Sequence, residues 1–244
     1  MKVIVHGAKG RMGNIIAGLA ETGYAGSELA AKVDFAYAEG EGLRTLGEFT
    51  ADADVVVDFS SHLATKGLLD YCIARSLPVV IATTGQTPEE MEQIRAAAKL
   101  IPVFNSANMS VGIAVLAELA QRAAAAFPDA DIEIIETHHN QKKDVPSGTA
   151  LLLARSIQKV RTDATLLVGR HEDGKRPAGE IGIHSIRLGN EVGTHEILIS
   201  TGTQTITLKH EAENRALFAE GALTAAAYIA DREPGLYDME TMLG

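Results

Sequence analysis

The stretch VIVHGAKGRMGNII, residues 3–16, decides how the rest of the chain is read. A short apolar strand runs up to His6. Gly7, Gly10 and Gly13 follow, and Met12, Ile15, Ile16 and Leu19 recur at i, i+3, i+4, i+7, the spacing of one helix face. Glycine in such a turn permits positive φ and lets backbone come close to a ligand. The helix start then offers N–H groups and partial positive charge to a pyrophosphate. The spacing departs from the commoner G-x-G-x-x-G, with Lys9 ahead of Gly10. Alone, the motif also describes a tight βα turn without a ligand; its place between a strand and a helix raises it to a dinucleotide loop.

Working outward, ELAAKVD (28–34) is the next strand, and Asp34 at its end stands 21 residues beyond Gly13, where an acidic side chain would meet an adenosine ribose. A solvated strand-end carboxylate is the plainer reading. No Arg directly follows Asp34 to hold a 2′-phosphate, although Lys32 is near, which tilts the cofactor towards NADH over NADPH. DVVVDFS (54–60), PVVIATT (78–84) and IPVFNSA (101–107) complete five strands, with helical patterns between several of them, as at Met91, Ile94 and Ala98 after Pro88. Strands alternating with helices predict a parallel α/β sheet of Rossmann type.

The pattern changes after residue 107. A helix near 111–126 leads into DIEIIETHH, with Ile132 and Ile134 on one face of a strand. Three more strands are expected at 181–189, 195–200 and 203–212, the last two joined by a turn at Gly202. This predicts a C-terminal α+β domain with a mixed four-strand sheet, and a long polar loop over 161–180. The last helix, with Leu217, Phe218, Gly221, Ala222, Ala225, Tyr228 and Ile229 on one face, could cap either domain.

Composition narrows the function. A net charge of −10 argues against a nucleic-acid or membrane-surface partner, which needs a basic face. The single cysteine, Cys72, excludes an intrachain disulfide and lies in an apolar stretch that reads as a buried thiol. No segment reaches the ~18 uninterrupted apolar residues of a membrane span, and no signal-peptide pattern opens the chain. A soluble cytoplasmic protein is expected.

Cationic capacity is instead concentrated in ETHHNQKKDVPSGTA, residues 136–150. A metal site would need three or four suitably spaced ligands. Adjacent His138 and His139 in a strand point to opposite faces, a poor chelate, so no metal is expected. A solvated basic loop is the bland alternative. A third reading fits better: Ser147, Gly148 and Thr149 form the cap and first turn of a helix, an anion site, with His138, His139, Lys142 and Lys143 just upstream. The stretch suits a small dianionic substrate, and a Lys or His there can act as general acid.

The same stretch resembles the characteristic motif of the 4-hydroxy-tetrahydrodipicolinate (dihydrodipicolinate) reductase family. The likeness extends over nearly the whole chain, through GAKGRMG (7–13), VVVDFSS (55–61), ATTG (82–85), NSANMSVG (105–112), GIHSIRLGNEVGTHE (182–196) and PGLYDMETML (234–243). It implies reduction of a cyclic dicarboxylate with NADH or NADPH and release of water, in the diaminopimelate route to lysine. It implies His138 and Lys142 as catalytic residues, Lys142 giving the proton, with His139 as a substrate contact and Gly148 and Thr149 as the carboxylate clamp. For the cofactor it implies Gly7, Ala8, Lys9, Gly10, Arg11 and Met12 at the pyrophosphate, Asp34 at the ribose, then Ala82, Thr83 and Thr84, and Ser106, Ala107, Asn108 and Met109 near the nicotinamide. Ala82 departs from the family's usual Gly, and the short span between Asp34 and Asp54 leaves the adenine side open. The resemblance also implies a homotetramer built through the C-terminal sheet, and a closing helix that returns to the nucleotide domain. The expected domains are 1–107 completed by a helix at 214–244, and 108–213 for substrate binding and oligomerisation.

Two rivals remain at this point. Another two-domain nicotinamide enzyme would share the fold without needing the His-His…Lys…Ser-Gly-Thr stretch. A nucleotide-sensing regulator would need a partner-reading module, and no DNA-reading pattern is visible.

Overall fold

The computed structural model describes residues 1–244, which divide into two compact units, Met1–Ser110 with Ala216–Gly244, and Val111–Arg215.

The first unit holds a six-stranded, all-parallel sheet of β1 (Lys2–His6), β2 (Glu28–Val33), β3 (Val55–Asp58), β4 (Val79–Ile81), β5 (Pro102–Asn105) and β11 (Gly235–Tyr237). The strand order is β11-β5-β4-β3-β1-β2. Successive residues Val3, Ile4 and Val5 are all fully buried, so β1 is covered on both faces, as parallel strands are. Ile4, Val56, Ile81 and Val103 share one core with Leu68 and Cys72 of α2 (Thr65–Ala74) and Ile94 of α3 (Pro88–Ala97). Burial pushes the Cys72 thiol pKa far up, leaving it inert as expected. The helix α1 (Arg11–Glu21) buries Gly13, Ile16, Ala17 and Ala20. Met12, Ile15 and Leu19 flank that face half-exposed, because small residues, not the large apolar ones, let the helix approach closely. The order reverses between β1 and β3, whose carboxyl ends carry the register pair His6 and Asp58. Ligands of open α/β sheets bind at such a switch point.

The closing segment departs from expectation. Residues 214–244 are not one helix: α6 (Ala216–Ile229) stops, β11 adds a sixth parallel strand beside β5, and α7 (Met239–Leu243) follows. Pro234-Gly235 cannot continue a helix, which is the local reason. Burial on α6 is also not confined to one face, since Ala219, Gly221, Ala222, Leu223, Ala225, Ala226 and Ile229 are all buried. A Cβ on Gly221 would fall within 1.7 Å of the Met109 carbonyl oxygen, so only glycine allows this approach.

The second unit holds β6 (Asp131–His138), β7 (Thr165–Val168), β8 (Glu180–Arg187), β9 (Gly193–Ser200) and β10 (Thr205–Ala212) in the order β10-β9-β6-β8-β7. The sheet is mixed, with β8 parallel to β6 and to β7, and β9 antiparallel to β6 and β10. It has five strands rather than the expected four. The extra one, β7, lies inside the stretch read as a polar loop. It is short, lacks period-two alternation and sits at the sheet edge with no residue fully buried. The β9–β10 turn takes Gly202 to φ +84°, a backbone region that favours glycine. Ile132, Ile134, Ile183, Ile197 and Ile199 form a core with Ile113, Leu116 and Ala120 of α4 (Val111–Ala126) and Leu153 and Ile157 of α5 (Gly148–Gln158).

Candidate active site

The glycine loop follows β1. Gly7 has φ +82°, and a Cβ there would lie 2.6 Å from the Phe59 carbonyl oxygen. A Cβ on Gly13 would lie 2.1 Å from the Gly7 oxygen. Both glycines are therefore demanded by the turn itself. The amides of Gly7 and Ala8 donate to Val33 O, and that of Gly10 to Gly7 O. Gly10 caps α1 with no side chain, so the amides of Arg11, Met12 and Gly13 lack intrahelical acceptors and point out of the helix. This fits an anionic group placed at the helix start.

Asp34 is nearly buried at 7% exposure and takes part in the loop architecture. Its Oδ2 accepts from the Lys9 amide at 3.0 Å and its Oδ1 from the Ala36 amide at 2.9 Å. The plain reading of a solvated strand-end carboxylate is thus excluded. Lys9 Nζ donates to Ala36 O and to Glu41, both at 3.0 Å.

The remaining residues assigned to the cofactor lie beyond the ends of β4 and β5. Ala82 donates its amide to Asp58 O, and its φ is not positive, so alanine fits where the resemblance expects glycine. Thr83 Oγ1 donates to Asp58 Oδ2 at 2.7 Å. Thr84 and Ala107 are exposed, and Met109 is buried. Ser106 Oγ donates to Asn108 O at 2.8 Å, and Asn108 Oδ1 accepts from the Ser110 amide at 2.9 Å.

Sequence reading missed the centre of this arrangement. The Asp58 carboxylate, 2% exposed as a residue, is met by His6 Nδ1 at 2.8 Å, Ser60 Oγ at 2.6 Å and Thr83 Oγ1 at 2.7 Å. It ties the ends of β1, β3 and β4 together. The signal was present in VVVDFS, where a carboxylate ends a wholly buried strand and must find donors.

In the second unit, period-two alternation along β6 buries Ile132, Ile134, Glu136 and His138 on one face. His139 falls on the partly exposed side. His138 Nδ1 lies 2.5 Å from Glu136 Oε2, and Ser147 donates its amide to Glu136 Oε1 at 3.1 Å. Arg187 forks onto the same carboxylate at 2.9 and 3.0 Å. Burial alone would raise the Glu136 pKa, but hydrogen bonds from His138, Arg187 and the Ser147 amide overcome it and hold the carboxyl well below its usual range.

Ser147 caps α5, its Oγ accepting from the Ala150 amide at 3.1 Å. That hydroxyl meets His195 Nε2 at 3.2 Å, and the His195 ring stands edge-on to His138 at 5.2 Å. Burial first, then the neighbouring His138, pushes the His195 pKa down to about 3. His139 Nε2 accepts from Arg215 at 3.3 Å, and burial followed by the Arg215 charge lowers its pKa. Lys142 is ion-paired with Asp144. Gly148 and Thr149 are the first two residues of α5, Gly148 exposed and with open space around its Cα. His138, Lys142, Gly148 and Thr149 are thus gathered at one end of β6 and the start of α5. Glu136, Arg187 and His195 were not singled out from the sequence. Glu136 was readable, since it shares the strand face of His138, whereas Arg187 and His195 reach the site only through strand pairing.

Two family models divide the chain between them, the dihydrodipicolinate reductase N-terminus over residues 1–109 and the dihydrodipicolinate reductase C-terminus over 112–243. The chain belongs to the dihydrodipicolinate reductase family. It is 41% identical to the 4-hydroxy-tetrahydrodipicolinate reductase of Caldanaerobacter subterraneus subsp. tengcongensis, covering 100% of this chain and 98% of that protein. The reductase of Alkaliphilus oremlandii is also 41% identical, with the same coverage. Among solved structures, the dipicolinate-bound dihydrodipicolinate reductase of Paenisporosarcina sp. TG-14 matches with a TM-score of 0.76 at 27% identity, over 98% of this chain and 97% of that one. A probable dehydrogenase of Thermotoga maritima shares the fold alone, with a TM-score of 0.64 at 12% identity.

Proposed function

We propose that this protein reduces 4-hydroxy-tetrahydrodipicolinate to tetrahydrodipicolinate with NAD(P)H and releases water, a step of the diaminopimelate route to lysine. The observation that carries the reading is that one buried carboxylate, Glu136, binds both His138 and the Ser147 amide. It joins the two halves of the family motif into one constellation.

The first unit would serve as the dinucleotide-binding domain and the second as the substrate-binding domain. Gly7, Ala8, Lys9, Gly10, Arg11 and Met12 would receive the pyrophosphate. Thr83, Thr84 and Ser106–Met109 would line the nicotinamide side. Once the 4-hydroxyl has left ring C4 as water, leaving a conjugated imine, the dihydronicotinamide would supply a hydride to that carbon. The chain's own part is to orient the dianion and to deliver a proton. The amides at the start of α5, at Gly148 and Thr149, orient one carboxylate. His139 contacts the other side of the ring. Lys142 delivers the proton as charge builds towards the ring nitrogen, with His138 assisting beside it. Fixed donors of this kind lower the barrier by orientation and electrostatic preorganisation.

The dipicolinate carried by the Paenisporosarcina relative is itself a cyclic dicarboxylate, which supports the substrate class. Asp34 favours NADH over NADPH by charge. The sheet face turned away from the core leaves Ile135, Leu198 and Ile186 partly exposed, which supports assembly of a homotetramer through this sheet. No helix is long and apolar enough to cross a membrane, and a cytoplasmic place suits the reaction.

The test is a coupled assay. Dihydrodipicolinate synthase generates the substrate in situ, and NADH or NADPH loss is followed at ~340 nm, the absorbance of a reduced nicotinamide. Oxidation with at least one cofactor is expected. Oxidation of neither, with an active synthase control, would overturn the reading.

A further inference from the structure

A fully buried carboxylate is costly unless donors surround it. Glu136 has 0% exposure and receives four hydrogen bonds, two on each oxygen. They come from three different parts of the site. His138 lies on the same strand, two residues on. Ser147 begins α5. Arg187 lies on β8, at the register position beside His138. Arg187 also donates to the Asp144 carbonyl at 2.8 Å, holding the loop that carries Lys142. One carboxylate thus governs the histidine, the helix start and the lysine loop together.

The geometry also fixes a proton. An ionised Glu136 only accepts, so a neutral His138 must carry its hydrogen on Nδ1 and leave Nε2 bare. On the Nε2 side space is tight: a Cβ on Gly193 would come within 2.9 Å of that atom. Glycine at 193 therefore leaves room for the ring, and a larger residue would press on it. The charged and titratable groups facing it are Glu136 from its own strand, Arg187 from β8 and His195 from β9.

We propose that Glu136 is the positioning residue of this site, holding His138 as the Nδ1–H tautomer and binding the α5 start directly, and the Lys142 loop through Arg187, to the same carboxylate. This rests on the reading that His138 and Lys142 carry the proton chemistry. Its two consequences are separable, one structural and one kinetic.

The experiment uses the full-length protein labelled with ¹⁵N-histidine. A two-bond ¹H–¹⁵N spectrum of the neutral form should show the His138 proton on Nδ1. A proton on Nε2 in the wild type would overturn the proposal, whatever any variant does. In Glu136→Gln the amide N–H₂ can face Nδ1, so the Nε2–H form should appear. Turnover should then fall by about a hundredfold, the scale of a lost acid–base contribution, with the cofactor KM within about twofold and the kcat–pH profile displaced. Glu136→Asp keeps the charge and should recover part of the rate and the Nδ1–H form. Unchanged tautomer, turnover and pH profile in Glu136→Gln would sink the proposal. The wild-type spectrum does not depend on turnover. Absence of reductase activity would therefore count against the functional reading while leaving the tautomer assignment to be judged by itself.

Discussion

Lys142 Nζ stands 3.0 Å from Asp144 Oδ2, two residues further along the same loop. The lysine is mostly covered and the aspartate mostly exposed, with side-chain exposures of 21% and 61%. Burial acts to raise the Asp144 pKa, but the bond from Lys142 wins and the net shift is downward. Asp144 thus occupies the cation that a dianionic substrate would need. Such a part-exposed pair is worth roughly 0.2–1 kcal/mol. Asp144→Asn should therefore tighten binding of a dicarboxylate such as dipicolinate by up to about fivefold, read by calorimetry. Weaker binding would mean that Asp144 supports the lysine instead of competing for it.

Lys142→Ala should cut turnover by ~10²–10⁴, the range for a lost general acid, while NADH affinity by fluorescence titration stays near wild type. Near-normal turnover would remove Lys142 as proton donor.

Thr149→Val should act chiefly on the substrate Michaelis constant if the first turn of α5 orients a substrate carboxylate as proposed. An effect confined to cofactor binding, in steady-state kinetics with each reactant varied, would contradict that placement.

Asp34 offers a sharper test of the cofactor side. Both its oxygens already accept backbone amides, one from Lys9 within the glycine loop. Asp34→Ala should therefore loosen the loop and raise the KM for NADH by about tenfold if one charge-assisted hydrogen bond of ~1.5 kcal/mol is lost, and that for NADPH by less, because the charge opposing a 2′-phosphate is lost with it. A penalty on NADH alone would instead give the carboxylate a purely ribose-binding role.

His195 sets a pH dependence of stability. Its folded pKa is depressed to about 3 from 6.5, so it stays neutral in the native state. Below about pH 6.5 the unfolded chain binds a proton that the folded chain refuses. Stability from this group is therefore intact above pH 6.5 and is lost as pH falls towards 3. The slope is about 1.4 kcal/mol per pH unit once the unfolded histidine is protonated. Urea titrations at pH 7 and pH 5 should show a smaller loss in His195→Asn than in wild type. Equal losses would mean that His195 is protonated in the native state.

Some of this molecule was fully determined by local sequence. Glycine spacing after β1 fixed the turn, since neither Gly7 nor Gly13 has room for a Cβ. Continuous apolar runs marked the buried parallel strands, and Ser147 marked the start of α5 because its hydroxyl caps the helix three residues on. These features are legible because turn, cap and strand-face rules act over a few residues. The edge strand β7, the strand β11 after Pro234, and the all-round burial of α6 were not legible. Each depends on what packs alongside, and a four-residue edge strand carries no period of its own. The site divides the same way. The motif itself named His138, Lys142, Gly148 and Thr149. Only strand pairing brought Arg187 beside His138, 49 positions away in the chain, and His195 onto Ser147. Asp58 and Glu136 are the clearest case. The sequence placed each carboxylate on a strand, but burial made each of them a centre for donors, because a charge removed from water holds its place only where several polar groups converge on it.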